Sequence, residues 1–117
     1  MKNQSLQQKL KNAWNGILFT YKTENNFRFH CYSGIATVIV FGLLQISLVW
    51  WGLIFICIGL VIAAELANTA IETLLDHIHP QRHPAIGKVK DIMAGVVLSL
   101  SLLALIIACL AIIDRLY

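Results

Sequence analysis

Charged residues are scarce in this chain, and their scarcity indicates its class. Asp, Glu, Lys and Arg together make up 13% of the 117 residues, and none of them occurs from Phe29 to Ala64. Hydrophobic residues account for 58%, and the mean hydropathy is +0.73. A soluble domain of this size cannot bury so much apolar surface. We therefore predict an integral membrane protein with one domain over residues 1–117, and the small, scattered net charge of +3 argues against nucleic-acid binding.

Paired cysteines and a signal-peptide pattern are also lacking. The three cysteines, Cys31, Cys57 and Cys109, are odd in number and lie in apolar segments. We interpret them as small hydrophobic residues, because neither a disulfide framework nor a metal site fits this distribution. Residues 1–11 are polar and are not followed by a cleavable apolar region, so we expect no signal peptide.

Hydrophobic periodicity predicts four helices. Residues 5–21 have apolar and polar faces at helical spacing, which predicts an amphipathic helix in the membrane interface; the alternative is a surface helix packed on a soluble partner. The uncharged stretch 29–64 is longer than one crossing of about 30 Å, so we place a turn at Gln45–Gly52. Pro80 and Pro84 then mark a loop. The predicted membrane spans cover about residues 31–48, 51–75 and 88–113. The expected fold is all-α, with an interfacial helix and three transmembrane helices.

Basic residues predict the orientation of these spans. Eight of the nine Lys and Arg residues precede the first span or lie in or beside the 76–90 loop, and only Arg115 lies at the other end. Cytoplasmic segments are enriched in such residues. We therefore predict a multi-pass protein of the inner (plasma) membrane, with a cytoplasmic N-terminus and an external C-terminus.

Four polar side chains interrupt the cytoplasmic half of the second span. They are Glu65, Asn68, Glu72 and Asp76. On an α-helix they fall within an arc of roughly 80°. A charged residue at the centre of a membrane helix costs about 2.5–3.5 kcal/mol on insertion scales. The alignment therefore favours chemistry or ion binding over packing.

Another face of the same span carries small residues. They are Gly59, Ala63, Ala67 and Ala70. Such a stripe permits close approach of helices. The contact it predicts is either between subunits or within the chain.

Further polar groups are expected to converge at the cytoplasmic interface. Glu24 lies before the first span, and Lys88, Lys90 and Asp91 open the third. Carboxylates from several segments suit Mg²⁺, lysines can neutralise phosphate, and a partly buried glutamate suits general-base work. The inventory is consistent with phosphoryl transfer to a lipid hydroxyl, and a cation path is the less favoured alternative. A non-enzymatic scaffold leaves the aligned acids unexplained.

Two other kinds of motif are missing or incomplete. Neither Gly-x4-Gly-Lys-Ser/Thr nor Gly-x-Gly-x-x-Gly occurs, so nucleotide binding requires another architecture than that of soluble kinases. The spacing of His77, His79 and His83 is compatible with zinc, but no thiolate or framing motif is nearby. We favour a loop with one nucleotide-contacting histidine.

The run from Glu65 to Asp76, ELANTAIETLLD, closely resembles the signature of the prokaryotic diacylglycerol kinase family, which includes the undecaprenol kinases. Three further segments are similar to that family: Trp14–Gly16, Glu24–Arg28, and Lys90-Asp91 followed by Ala94–Leu98. The resemblance implies a homotrimeric membrane lipid kinase that uses MgATP and shares its sites between neighbouring subunits. It thus favours a kinase over an ion-transporting protein, which stays the alternative.

The resemblance also implies a role for each matching residue. Glu65 corresponds to the catalytic base that deprotonates the lipid hydroxyl, and Asn68 supports it. Glu24 and Glu72 correspond to the Mg²⁺ ligands. The residues that correspond to nucleotide contacts are Gln81, Arg82, His83, Lys90 and Asp91.

The chain departs from the family pattern at two places. An arginine that some members carry early in the surface helix is absent near Ser5, and Lys9 or Lys11 would have to replace it. The Phe29-His30 pair differs from the polar pair of the enterobacterial type. The segments around Phe29 and from His83 to Asp91 look more like the undecaprenol kinase branch. We therefore expect a lipid alcohol as substrate, with undecaprenol favoured over diacylglycerol.

Overall fold

Four α-helices make up the fold of residues 3–117, which a computed structural model describes. They are α1 (Leu6–Thr23), α2 (Asn25–Leu44), α3 (Leu48–Ile78) and α4 (Pro84–Leu116). The last three are each long and apolar enough to cross a membrane. The predicted all-α fold with three candidate spans is confirmed.

A capping box starts α1. The Ser5 hydroxyl accepts a hydrogen bond from the Gln8 N–H, and the Gln8 side chain accepts one from the Ser5 N–H. The helix therefore begins at Leu6, one residue after the predicted start. Leu6 and Trp14 are both more than half exposed, so the apolar face of α1 is largely uncovered by the chain itself. Its place in the membrane interface stays a prediction.

A single extended residue, Glu24, connects α1 to α2. Its N–H donates to the Thr20 carbonyl over 2.9 Å, which ends α1. The Arg28 guanidinium closes this corner by donating to the last carbonyls of α1, those of Tyr21 and Lys22, and to the Asn25 side chain. Phe27, only 2% exposed, anchors the first turn of α2. The Glu24–Arg28 segment thus fixes the position of a carboxylate at the helix junction.

The turn between α2 and α3 is shorter than predicted. Gln45 adopts a left-handed conformation (φ 57°) and its N–H donates to the Phe41 carbonyl, which ends α2. Ser47, in an extended conformation, then precedes α3. Leu48 therefore belongs to α3 and not to the preceding span. The run Trp50-Trp51-Gly52, which the sequence places in the turn, is helical. A glycine inside a helix costs only about 1 kcal/mol, so Gly52 does not end α3.

The hairpin end of the molecule is held by a core and two polar contacts. Phe41, Ile46, Ile54 and Ala111 form a buried cluster there. The Trp50 indole N–H donates to Asp114 over 2.8 Å, and the Arg115 guanidinium donates to the Leu44 carbonyl over 2.7 Å. These contacts join the end of α4 to both helices of the hairpin, far from the acidic residues of α3.

The loop before α4 is also shorter than predicted. α3 continues to Ile78, and α4 begins at Pro84 rather than near residue 88. Proline is favoured in the first turn of a helix, where its missing N–H has no partner to lose. The His83 Nδ1 accepts a hydrogen bond from the Ala85 N–H over 3.1 Å and caps the helix. Pro84 thus starts α4, and only residues 79–83 connect the two helices.

Packing in this fold is dominated by α3, whose most extensive contacts are with α4. The small-residue stripe of α3, from Gly59 to Ala70, is exposed. A Cβ added at Gly59 would meet nothing within 4 Å. Ala70 lines a groove beside α1 of the same chain. The rest of the stripe is open and leaves room for contact with another molecule.

Candidate active site

Glu65 lies inside the bundle, where α2 faces α3. The residue is 3% exposed and is one of few buried polar residues among those described. Its Oε1 lies 3.3 Å from Nε2 of His30 on α2, and the two side chains are 4% and 18% exposed. The carboxylate is therefore screened from bulk water and faces the imidazole of a neighbouring helix.

Two further carboxylates lie near Glu65. Glu24, at the α1–α2 corner, and Glu72, two turns further along α3, are both half-buried and both close enough to act on Glu65 electrostatically. The acids therefore come from two separate parts of the chain. The three glutamates that the sequence predicted as base and metal ligands thus lie within electrostatic range of one another's site, although no three metal-binding side chains converge among residues 3–117.

Unpaired polar atoms lie on the same part of α3. The Asn68 Oδ1 is buried and has no hydrogen-bond partner within residues 3–117, and the same holds for the Thr69 hydroxyl. Asn68 follows Glu65 by three residues, so the two side chains share a helix face. Buried acceptors without partners are rare in folded proteins. This acceptor is available to a ligand.

A second polar region lies at the loop between α3 and α4. A cleft of about 510 Å³ is lined there by ten residues, which include Gln81, Arg82, His83 and Lys90. Four of the five predicted nucleotide contacts thus share one cleft. The fifth, Asp91, is exposed and does not line it.

Asp76, which had no predicted role, lines the same cleft. The Lys90 ammonium donates to its Oδ1 over 2.8 Å and joins α4 to the end of α3. Lys90 is also close enough to Glu72 for electrostatic interaction. The loop cleft and the glutamate cluster are therefore connected along α3 through Glu72 and Lys90.

The three loop histidines do not form a metal site. The rings of His79 and His83 meet edge to face with centroids 5.8 Å apart, and the His79 Nδ1 contacts the Gln81 carbonyl. Among residues 3–117, no three side chains of His, Cys, Asp or Glu converge to hold a metal ion. The three cysteines are free, as the sequence indicated.

Two apolar grooves meet at His30. One, of about 430 Å³, runs between α2, α3 and α4 and contains the buried, unpaired hydroxyl of Ser101. The other, of about 640 Å³, runs between α1, α2 and α3 and is almost entirely apolar. His30, Gly34 and Ile58 line both grooves. Both grooves therefore pass the imidazole that contacts Glu65.

His30 is the residue of this site that the sequence analysis did not select. It had been noted only as a departure from the enterobacterial pattern. The sequence does contain an indication that His30 lies near Glu65. Both residues are separated from the turn at 45–47 by a similar number of residues. The two helices of an antiparallel hairpin place such residues at the same depth. The rotation of α2, which decides whether they face each other, is not encoded in the spacing.

Comparison with known proteins identifies the family of the chain. The sequence profile of "Prokaryotic diacylglycerol kinase" matches residues 11–112. An undecaprenol kinase of Bacillus subtilis (strain 168) is 38% identical over 104 residues, which cover 89% of this chain and 85% of that protein. A diacylglycerol kinase of Synechocystis is 32% identical over 96 residues, which cover 81% of this chain and 55% of that protein. A diacylglycerol kinase of Escherichia coli (strain K12) is 26% identical over 98 residues, which cover 84% of this chain and 80% of that protein.

These similarities extend over most of the chain, including the segments that carry Glu24, Glu65 and Lys90. They give no support to the ion-transport alternative. The relatives are lipid kinases by name, and membership of a kinase family implies ATP as the phosphoryl donor. The chain belongs to the prokaryotic diacylglycerol kinase family and is a membrane lipid kinase.

Proposed function

We propose that this kinase transfers the γ-phosphoryl group of MgATP to the hydroxyl of undecaprenol at the cytoplasmic face of the inner membrane. The observation that carries the proposal is the position of Glu65: a buried carboxylate 3.3 Å from His30, whose side chain lines two apolar grooves. A hydroxyl at the end of a hydrocarbon chain can reach Glu65 from the membrane. In this proposal a nucleotide in the loop cleft extends its phosphates along α3 toward Glu65.

In the proposed reaction Glu65 is the general base. The lipid hydroxyl oxygen attacks the γ-phosphorus and forms a new P–O bond, while the bond from that phosphorus to the β,γ-bridging oxygen breaks. Glu65 takes the hydroxyl proton, and ADP leaves with the electron pair of the broken bond. Asn68 shares a face of α3 with Glu65, and we propose that its amide N–H donates to the carboxylate and supports it in this role.

Glu24 and Glu72 suit Mg²⁺. This ion usually takes one or two protein carboxylates and completes its shell with water and substrate phosphates, so it does not need three converging side chains. The two glutamates are half-buried and lie near the proposed base. When bound, the ion would neutralise charge on the phosphates of the nucleotide.

The loop cleft suits the nucleotide. Arg82, Lys90 and the imidazole of His83 offer donors there, and backbone groups of the 79–83 connection line the same space. Lys90 is bound to Asp76 in this structure, so we propose that it exchanges this carboxylate for a phosphate oxygen when ATP binds. Asp91 would reach the nucleotide at the rim of the cleft.

Undecaprenol is the favoured alcohol for two reasons. The undecaprenol kinase of Bacillus subtilis has the higher identity, 38% against 32% and 26% for two diacylglycerol kinases, and it covers more of the chain. The grooves on either side of His30 are long, apolar and open, which suits a flexible hydrocarbon chain. Diacylglycerol is the second candidate.

A homotrimer with sites shared between subunits fits the open faces of the chain. The exposed stripe from Gly59 to Ala70 allows α3 of one subunit to approach another closely. The uncovered apolar face of α1 also leaves room for a neighbouring subunit or for lipid. The excess of basic residues at the α1 and loop end supports a cytoplasmic location for the site.

The test is an assay with purified protein in micelles that contain undecaprenol and γ-labelled ATP. We expect label in the lipid fraction only when Mg²⁺ is present. A parallel assay of ion flux into liposomes lacking ATP is expected to show none. Flux without ATP, together with no labelled lipid, would replace the kinase proposal by the transport alternative.

A further inference from the structure

We propose that His30 is a positioning residue for Glu65. In this inference the Nε2–H of the imidazole donates a hydrogen bond to Oε1 of the carboxylate and fixes its orientation. Oε2 is then free to accept the proton of the lipid hydroxyl. The inference rests on the proposed role of Glu65 as the base, and it assigns to α2 a part in the reaction chemistry.

The first support is the contact itself. The Nε2 to Oε1 distance is 3.3 Å, and it joins two helices whose residues are 35 positions apart in the chain. The Glu65 side chain is 4% exposed, so water contributes little to holding it in one orientation. A buried carboxylate needs a partner, and the imidazole of His30, whose position is set by a different helix, lies 3.3 Å from it.

The second support is the way in which α2 is brought close to α3. Gly34 lies one turn after His30 on the same helix. A Cβ at this position would meet the Cγ2 of Ile58 on α3 at 3.3 Å, which is tighter than an ordinary van der Waals contact. The missing side chain of Gly34 therefore allows the approach that places the imidazole against the carboxylate. The adjacent Phe29 ring packs edge to face on the imidazole, with centroids 5.5 Å apart.

The third support is the position of His30 relative to the substrate. Its side chain lines both apolar grooves and touches Glu65, so it forms the wall between the hydrocarbon region and the base. A lipid hydroxyl that approaches Glu65 from either groove passes the imidazole. An imidazole that carries hydrogen on Nε2 can donate to the carboxylate from this position.

Four single variants test this inference. His30→Gln keeps an N–H at similar reach, His30→Asn keeps an amide that is too short, and His30→Phe keeps a ring without a donor. His77→Phe, at the exposed cytoplasmic end of α3, is the matched control. We expect the Phe and Asn variants of His30 to lower kcat by roughly 10- to 100-fold, since a misplacement of about 1 Å can cost that much. The KM for ATP should stay unchanged, the Gln variant should recover most of the rate, and the control should stay within about twofold of the original chain.

A second measurement tests whether His30 acts through Glu65. Glu65→Asp withdraws the carboxylate from the imidazole by one methylene group. In that background His30→Phe should have a much smaller effect on kcat than in the original chain, because the contact is already lost. Equal fold-changes in the two backgrounds would overturn the inference.

The outcomes also separate this inference from the proposed function. If the original chain does not phosphorylate the lipid alcohol, the proposed function fails. If it does, but His30→Phe keeps the original kcat, or Gln and Phe impair it equally, only the role of His30 fails. Should the Phe variant not fold, as judged by gel filtration in detergent, the comparison of Gln with Asn gives the same decision.

Discussion

Replacing Glu65 with glutamine is expected to abolish phosphoryl transfer and leave the protein folded. Glutamine keeps the shape of the side chain and can still accept a contact from His30, but it cannot take a proton from a hydroxyl. General-base catalysis contributes roughly 10²- to 10⁴-fold to a rate. At about 1.36 kcal/mol per factor of ten, this corresponds to about 2.7–5.4 kcal/mol of barrier. Because the side chain is 4% exposed, bulk water cannot easily take its place as the base. We therefore expect a loss of rate in the upper part of the roughly 10²- to 10⁴-fold range.

The assay is the initial rate of label transfer from γ-labelled ATP to undecaprenol in micelles. Asp114→Asn is the matched control, since it makes the same acid-to-amide change at the other end of the bundle and keeps an acceptor for Trp50. Gel filtration and thermal unfolding in detergent report whether the variants fold. A Glu65→Gln protein that keeps a rate within a few-fold of the original would remove Glu65 from the role of base.

Three other substitutions test the remaining parts of the site. Glu72→Gln should raise the Mg²⁺ concentration for half-maximal activity by at least about 10-fold, because loss of even an outer-shell partner weakens metal binding by about that factor. An unchanged Mg²⁺ titration would exclude Glu72 as a ligand. Lys90→Met should raise the KM for ATP by roughly 10- to 100-fold, the equivalent of one charge-assisted hydrogen bond of about 1.5–3 kcal/mol, and an unchanged KM would leave Lys90 a partner of Asp76 alone. Gly59→Leu should shift the protein from trimer to monomer in light scattering, whereas Gly42→Leu, also at an open glycine, should not; a trimer in both would place the interface elsewhere.

The helices were predictable because hydrophobicity and charge act locally. The long uncharged stretch exceeds one crossing, and the helix predicted over residues 5–21 corresponds to α1. The ends were less predictable. Pro84 was interpreted as a helix breaker, although at the first position it favours a helix, and Gln45 ends α2 through a left-handed conformation that a non-glycine residue adopts infrequently.

The site was predictable in part for a related reason. Glu65, Asn68 and Glu72 share one helix face, so their spacing alone places them together. The pairing of Lys90 with Asp76 and of His30 with Glu65 depends on how α2 and α4 rotate against α3. That rotation is decided by packing at residues such as Gly34, whose effect on the approach of two helices is visible only in three dimensions.

The most direct test of the account is the relative rate at which the purified protein phosphorylates undecaprenol and diacylglycerol in parallel micelles with MgATP. We predict phosphorylation of undecaprenol with the higher kcat/KM. A higher kcat/KM for diacylglycerol would keep the lipid kinase and reverse the assignment of its substrate. If neither lipid acquires phosphate from ATP, the proposed chemistry of the Glu65 site is contradicted.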